Sequence, residues 1–263
     1  IWSGASRVSG AGLSTAVTID SGATASFAGG TKELRTRKIV NFGTITWTSG
    51  DLSIVADAEF ENRGAINMPT ISGSDLLRVT NDGAPLNRLH HVSGAGAIAL
   101  TGPGTFVIEA GLTFDNGAEF SVDTGRMRFD AEGGDFGTYS SSSGGTIEFG
   151  PPNSVFRELT GSPALAGDGV LRKSGAGEVL ISGLDSHTGP VEVLDGELRY
   201  TTGTPKEFLS LTVTNPGILG GGDDFTILGN LFWNGGQIDT SNVGTATLTV
   251  DASALVIMTL NDT

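Results

Sequence analysis

The sequence has no cysteine. That excludes a disulfide-stapled fold, a thiolate nucleophile and a zinc–thiolate site. Positive charge is scarce: 15 Lys and Arg stand against 29 Asp and Glu, a net charge of −14. Such a chain repels phosphate backbones and anionic headgroups, so nucleic acid and anionic membrane surfaces are not expected as partners. No apolar run reaches the length of a membrane span, and insertion of this segment into a membrane is not expected. Polar aromatics are few, with 3 Trp and 2 Tyr against 13 Phe. A Phe-dominated set points to interior stacks rather than to a Tyr/Trp binding surface. No signal-peptide pattern opens the chain and Ile1 is not an initiator residue, so the expectation is a mature product or an excised segment.

What the chain has is glycine, 41 residues of it, with an ordinary apolar content of 38%. The glycines follow no collagen-like period of three, and the apolar content argues against disorder. Between Leu165 and Leu198 their placement is most regular. Apolar residues alternate at Val170, at Val179 and Ile181, and at Val191 and Val193. Glycines punctuate these runs at Gly167, Gly169, Gly175, Gly177, Gly183, Gly189 and Gly196. Short period-two runs with glycine at the bends read as strands that turn directly into one another. None of the connections is long enough for a helical crossover, so the strands must stack coil upon coil. Residues 184–187 read as a linker within this stretch.

This stretch resembles the autotransporter-associated β-strand repeat, G-x-G-x-L-x-K-x-G-x-G-x-x-x-L-x-G followed by T-G and G-x-L. Gly167, Gly169, Leu171, Lys173, Gly175, Gly177, Ile181 (for the usual Leu), Gly183, Thr188, Gly189, Gly196 and Leu198 fall on that pattern. The resemblance covers residues 165–198. It implies a right-handed parallel β-helix in a secreted protein of the bacterial surface, and it implies no activity.

The same alternation extends outward. Ile45, Trp47, Leu52 and Ile54 follow it. A unit of an aromatic, an Asn, a Gly and an alternating strand recurs around Asn41, Asn62 and Asn116, with Asn expected in the left-handed region at the bend and Gly at positive φ. Residues 32–38 read as an exposed strand and turn. Residues 72–93 and 131–145 interrupt the rhythm and are expected to be irregular loops; the serine run 140–143 reads as a flexible loop by composition. The expected fold is therefore all-β: one β-solenoid domain over residues 1–263, of about ten to twelve coils at about 4.8 Å each. Val17, Ile19, Ile45, Ile54, Phe114, Phe120, Val122, Ile147, Phe149, Val179, Ile181, Val191 and Val193 are expected to point inward.

The ends also match. With Trp2 aligned on Trp233, Gly4 meets Gly235, Val17 meets Leu248 and Asp20 meets Asp251, and Trp47 lies in a similar local sequence. The last stretch, through Leu255, Val256, Ile257 and Met258, is the most apolar of the chain. Trp2 and these four residues are the expected interaction surface, either for a neighbouring repeat or for a second copy stacked end to end, because open strand ladders recruit other strands.

Residues suited to chemistry are sparse. Asp223-Asp224, after three glycines, resembles the G-D-D piece of polygalacturonase-type hydrolases, but the N-T-D, G-H-G and R-I-K pieces are missing. The pair reads as a turn, or as a weak calcium site. His90-His91 reads as a solvated loop pair without a ligand partner at metal-binding spacing, and His187 is the third histidine. No G-x-S-x-G or G-D-S-G motif supplies a nucleophile. No catalytic residue and no cofactor is expected. The leading expectation is a structural or adhesive solenoid at the bacterial cell surface, with self-association or surface glycans and host ligands as partners. A polysaccharide-degrading β-helix enzyme and a carbohydrate-binding or tail-spike segment are the alternatives.

Overall fold

The computed structural model describes residues 2–4, 6–10, 16–71, 76–239 and 246–259. Among them every regular element is a β-strand, and the strand ladders are parallel throughout. Three faces wind around one interior. The third face is an unbroken sheet of 11 strands, from Ala16–Ile19 to Gln237–Asp239. At about 4.8 Å per strand its ten steps span about 48 Å. The first face runs through Thr24–Ala28, Thr44–Trp47, Ala65–Met68 and Ile98–Leu100. The second runs through Ser6–Ser9, Lys32–Arg35, Leu52–Val55, Leu76–Asn81 and Thr105–Ile108. Four long strands, Glu119–Phe129, Thr138–Phe149, Lys206–Thr214 and Phe225–Asn234, bend around the corner between these two faces with a register shift at the bend. The fold is a parallel β-solenoid, as the glycine-punctuated alternation predicts.

Alternation places every second side chain inside. Ile45, Ile54, Phe114, Phe120, Val122, Ile147, Phe149, Val179, Ile181, Val191 and Val193 are all buried. Aromatics stack along the axis: Phe120 lies 5.8 Å from Tyr139, and Phe129 lies 5.6 Å from Phe149. Val17 departs from expectation at 37% exposure, and Ile19 is half-buried. Val17 has inward parity and pairs in register with the buried Ile39, but its strand is the first rung of the third face and no described coil covers it.

Two corner devices explain the repeat. At Gly64 a Cβ would lie 2.0 Å from the carbonyl oxygen of Gly43 in the coil below, so the corner admits no side chain. At Gly175 φ is +76°, which glycine alone adopts without strain. The lysine of the motif points inward. Lys173 is fully buried, and its Nζ donates to the carbonyls of Ser174, Gly175 and Asp195 at 3.1, 2.6 and 3.0 Å. Lys32 does the same for Ala28, Gly29, Gly30 and Ser49. These carbonyls turn inward at the corner, and the ammonium satisfies them. Burial pushes Lys173 down to about 8.

Several local expectations need correction. Residues 72–93 contain the strands Leu76–Asn81 and Arg88–His91, and residues 131–145 contain Gly133–Asp135 and the start of Thr138–Phe149, which includes the serine run. Their polar composition misleads because outward positions tolerate any small polar residue. Residues 72–75 lie outside the described set. In segment 32–38, Lys32 and Leu34 are buried rather than exposed. The repeated asparagines do not adopt positive φ. The matched ends do not occupy equivalent places either. Trp2 pairs with Phe27 on the first face, whereas Trp233 pairs with Val213 on the second. Val17 is on the third face and Leu248 on the first. The likeness is a local corner motif: Trp47 Nε1 donates to Gly50 O at 2.8 Å and Trp233 Nε1 to Gly236 O at 2.5 Å, at different corners.

Candidate functional site

Polar residues enter the interior in two places. The first is a ladder on the third face. Asn41, Asn62, His91, Asn116 and Asp135 stand in register on five successive coils, all buried. Asn41 Nδ2 donates to Asn62 Oδ1 at 2.7 Å, and Asn62 Nδ2 lies 3.1 Å from His91 Nδ1. His91 Nε2 lies 3.1 Å from the Glu119 carbonyl. His91 is thus a core residue and not part of a solvated loop. Burial pushes it down to about 4, which keeps it neutral. The ladder ends at a fully buried Arg157, which pairs with Asp135 at 2.5 Å and lies over the Phe114 ring at 4.7 Å. Asn41, Asn62 and His91 bond to one another from coil to coil, so the ladder fixes register there.

The second lies within the repeat itself, at the stretch read as a linker. Asp185–His187 is a strand of the first face, and Lys206–Thr214 holds the next position on that face. Among the described residues no ladder joins these two strands, although the second face stays paired there (Val191 with Leu211) and so does the third (Glu197 with Ile218). The first face parts locally. A cleft of about 290 Å³ opens there, lined by Asp185, His187, Lys206, Glu207, Leu209 and Leu228 among others. Side chains fill the gap. Lys206 Nζ donates to the His187 carbonyl at 2.7 Å and lies 2.8 Å from Asp185 Oδ2. His187 Nε2 lies 2.9 Å from Gly169 O, so it carries the proton and Nδ1 keeps a lone pair. That Nδ1 is buried without a partner. Burial holds His187 below its ordinary value, hence neutral. Burial and the neighbouring Asp185 charge push the Tyr200 phenol well above its ordinary value. Asp, His, Lys and Tyr thus converge in a low-dielectric site. The sequence signal was available in Asp185-Ser-His187, whose alternation continues the strand pattern with polar residues inward.

The residues singled out from sequence take structural places. Asp223 is buried and accepts from Thr202 N, Thr202 Oγ1 and Gly203 N at 2.7, 2.8 and 2.9 Å. Asp224 Oδ1 accepts from Thr247 N and Oγ1 at 2.7 and 2.9 Å. One carboxylate clamps the preceding coil and the other the following coil, which favours the turn role over an ion site. His90 faces outward and meets Glu59 and Glu61 from the coil beneath, with ligand atoms within 4.8 Å of one another. Sequence spacing missed these partners because they come from another coil. Both carboxylates already hold Lys38, and Arg63 binds Glu61 as well. Burial alone would raise Glu61, and its bonds to Lys38 and Arg63 bring it below the usual carboxylate value. Of the expected interaction surface, Leu255, Val256, Ile257 and Met258 are 55%, 37%, 44% and 60% exposed. The side chain of Trp2 lies outside the described residues.

Comparison with known protein families, with curated proteins and with solved structures finds no match.

Proposed function

We propose that this chain is a structural and adhesive solenoid of the bacterial cell surface, and not an enzyme. The observation that carries the reading is the strand Leu255–Thr259. It pairs with Asn230–Asn234 on one side and presents four large apolar residues that no described residue covers. In a solenoid such a rung is completed by another coil, either of the same polypeptide or of a second copy. Charge supports a second copy. Arg7, Arg35, Arg37 and Lys38 lie in the first two coils, and no Lys or Arg follows Lys206, whereas Asp223, Asp224, Asp239 and Asp251 do. The first two coils together are net basic and the last two net acidic, so they attract head to tail, which makes the contact heterologous. The resemblance of residues 165–198 to the autotransporter-associated repeat supplies the bacterial-surface setting. Light scattering across a concentration series tests the reading. Wild type should grow in mass with concentration, and Val256→Lys, which places a charge among the apolar residues, should abolish the growth. A strictly monomeric wild type refutes end-to-end stacking.

A glycan-binding reading has one observation in its favour. Phe156, 47% exposed, stands beside Glu178, Glu197 and Ile218 in a cleft of about 390 Å³ on the third face. An exposed ring beside hydrogen-bonding carboxylates suits a sugar. A glycan array with Phe156→Ala as control tests it, and equal signals from both proteins refute it.

A further inference from the structure

Three lysines are buried, and Lys206 is the one that meets a carboxylate among the described residues. Lys32 and Lys173 give their ammonium protons to corner carbonyls. Lys206 Nζ stands 2.8 Å from Asp185 Oδ2, with side-chain exposures of 9% and 3%. Despite that distance, Oδ2 receives no directed hydrogen bond. The surroundings are aromatic: Nζ lies 6.0 Å from the Tyr200 ring centre and 5.8 Å from that of Phe208. One residue positions both partners. The His187 carbonyl holds Nζ at 2.7 Å, and the His187 N–H holds Asp185 Oδ1 at 2.8 Å.

We propose that Lys206 and Asp185 condense spontaneously into a side-chain amide that staples two successive coils at the parted face. A buried ion pair pays for desolvation that attraction does not fully return. Passing one ammonium proton to the carboxylate converts the pair into an amine and a carboxylic acid, the two reactive forms. The amine nitrogen attacks Cγ, the N–C bond forms, and one C–O bond breaks. The carboxyl oxygen leaves as water with two hydrogens that both began on nitrogen. The ammonium and carboxylate become –NH–CO– and H₂O, with no oxidant, activating group or external base consumed. Holding both groups on the backbone of one residue, His187, supplies the proximity that makes such a step intramolecular. His187 lines the same cleft as the two reacting groups, and the Tyr200 ring packs near Nζ. The local cleft gives the released water an exit. Once formed, the amide replaces two buried charges with a neutral group and cross-links the chain as a disulfide would in a protein that has cysteine.

The intact mass of the purified wild-type protein decides this. The expected mass is below the sequence mass by one water, about 18 Da. Trypsin should then fail to cut after Lys206 and should release residues 174–199 joined to residues 200–263 as one branched species. Lys206→Arg, which keeps the cation but has no comparable nucleophile, should have its full sequence mass. Two results overturn the proposal. One is a wild-type protein of full mass that trypsin cuts after Lys206. The other is an equal water loss in Lys206→Arg, which would place the dehydration elsewhere, for instance at Asp168-Gly169 or Asp195-Gly196. If the arginine variant does not fold, the wild-type peptide map is decisive alone.

Discussion

Acid should loosen this solenoid through one residue. His91 is fully buried in the third-face ladder, with its ring edge-on to Phe120 at 5.3 Å. The neutral ring satisfies both its nitrogens: Nε2–H donates to the Glu119 carbonyl, and Nδ1 accepts from the Asn62 amide. A second proton would turn Nδ1 into a donor facing a donor, in a fully buried site. Burial accordingly lowers His91 from 6.5 to about 4. The unfolded chain then binds a proton below about pH 6.5, whereas the folded chain does so only below about 4. The stabilisation is complete above pH 6.5 and is lost as pH falls from 6.5 to 4. At 1.36 kcal/mol per unit the loss is about 3 kcal/mol. His187, also held low by burial, acts in the same direction, while Asp135, raised by burial, opposes it. A difference measurement isolates His91. Urea midpoints of wild type and His91→Asn are to be measured at pH 7.5, 6, 5 and 4.5. Asparagine extends the existing ladder and cannot titrate. Wild type should lose more stability than the variant across this window, by about 2 to 3 kcal/mol at its acid end. Parallel pH profiles would refute the assignment of His91 as a neutral core residue.

Further consequences follow from the corners and clamps. Gly64→Ala should cost about 3 kcal/mol in urea unfolding, because the new methyl meets the Gly43 carbonyl and backbone cannot move aside cheaply. A variant as stable as wild type would show that the coils are not in close contact there. Asp223→Ala should cost about 2 kcal/mol, since it removes the charged acceptor of the Thr202 and Gly203 amides. Calcium should leave the wild-type melting temperature unchanged, because these oxygens already accept protein donors, and a clear calcium-dependent rise would restore the ion-site reading.

The fold was legible because period-two alternation and corner glycines are local signals. Phe114, Phe120 and Ile181 could be placed inward from their neighbours alone. The sites were less legible because a solenoid juxtaposes residues by coil, and coil length varies. Ile45 pairs with Ile66, which pairs with Ile98, at unequal sequence separations. The Asn41–Asn62–His91–Asn116–Asp135 ladder and the Glu59–Glu61–His90 cluster therefore have no fixed spacing to reveal them. Polar residues at inward positions were the second obstacle. Lys173, His91 and Asp185 follow the same alternation as the valines, but their chemistry suggests the surface until the partner carbonyls of the next coil are known. The likeness of Trp2 and Trp233 misled for the complementary reason, since one local corner motif serves different corners.

The central claim is that this chain is a building element whose last coil is completed by another coil. Negative-stain electron microscopy at rising protein concentration tests it most directly. The account predicts rods in multiples of about 50 Å, the length of one stack of coils, with Val256→Lys restricted to the unit length. Wild-type particles of unit length at every concentration would contradict it.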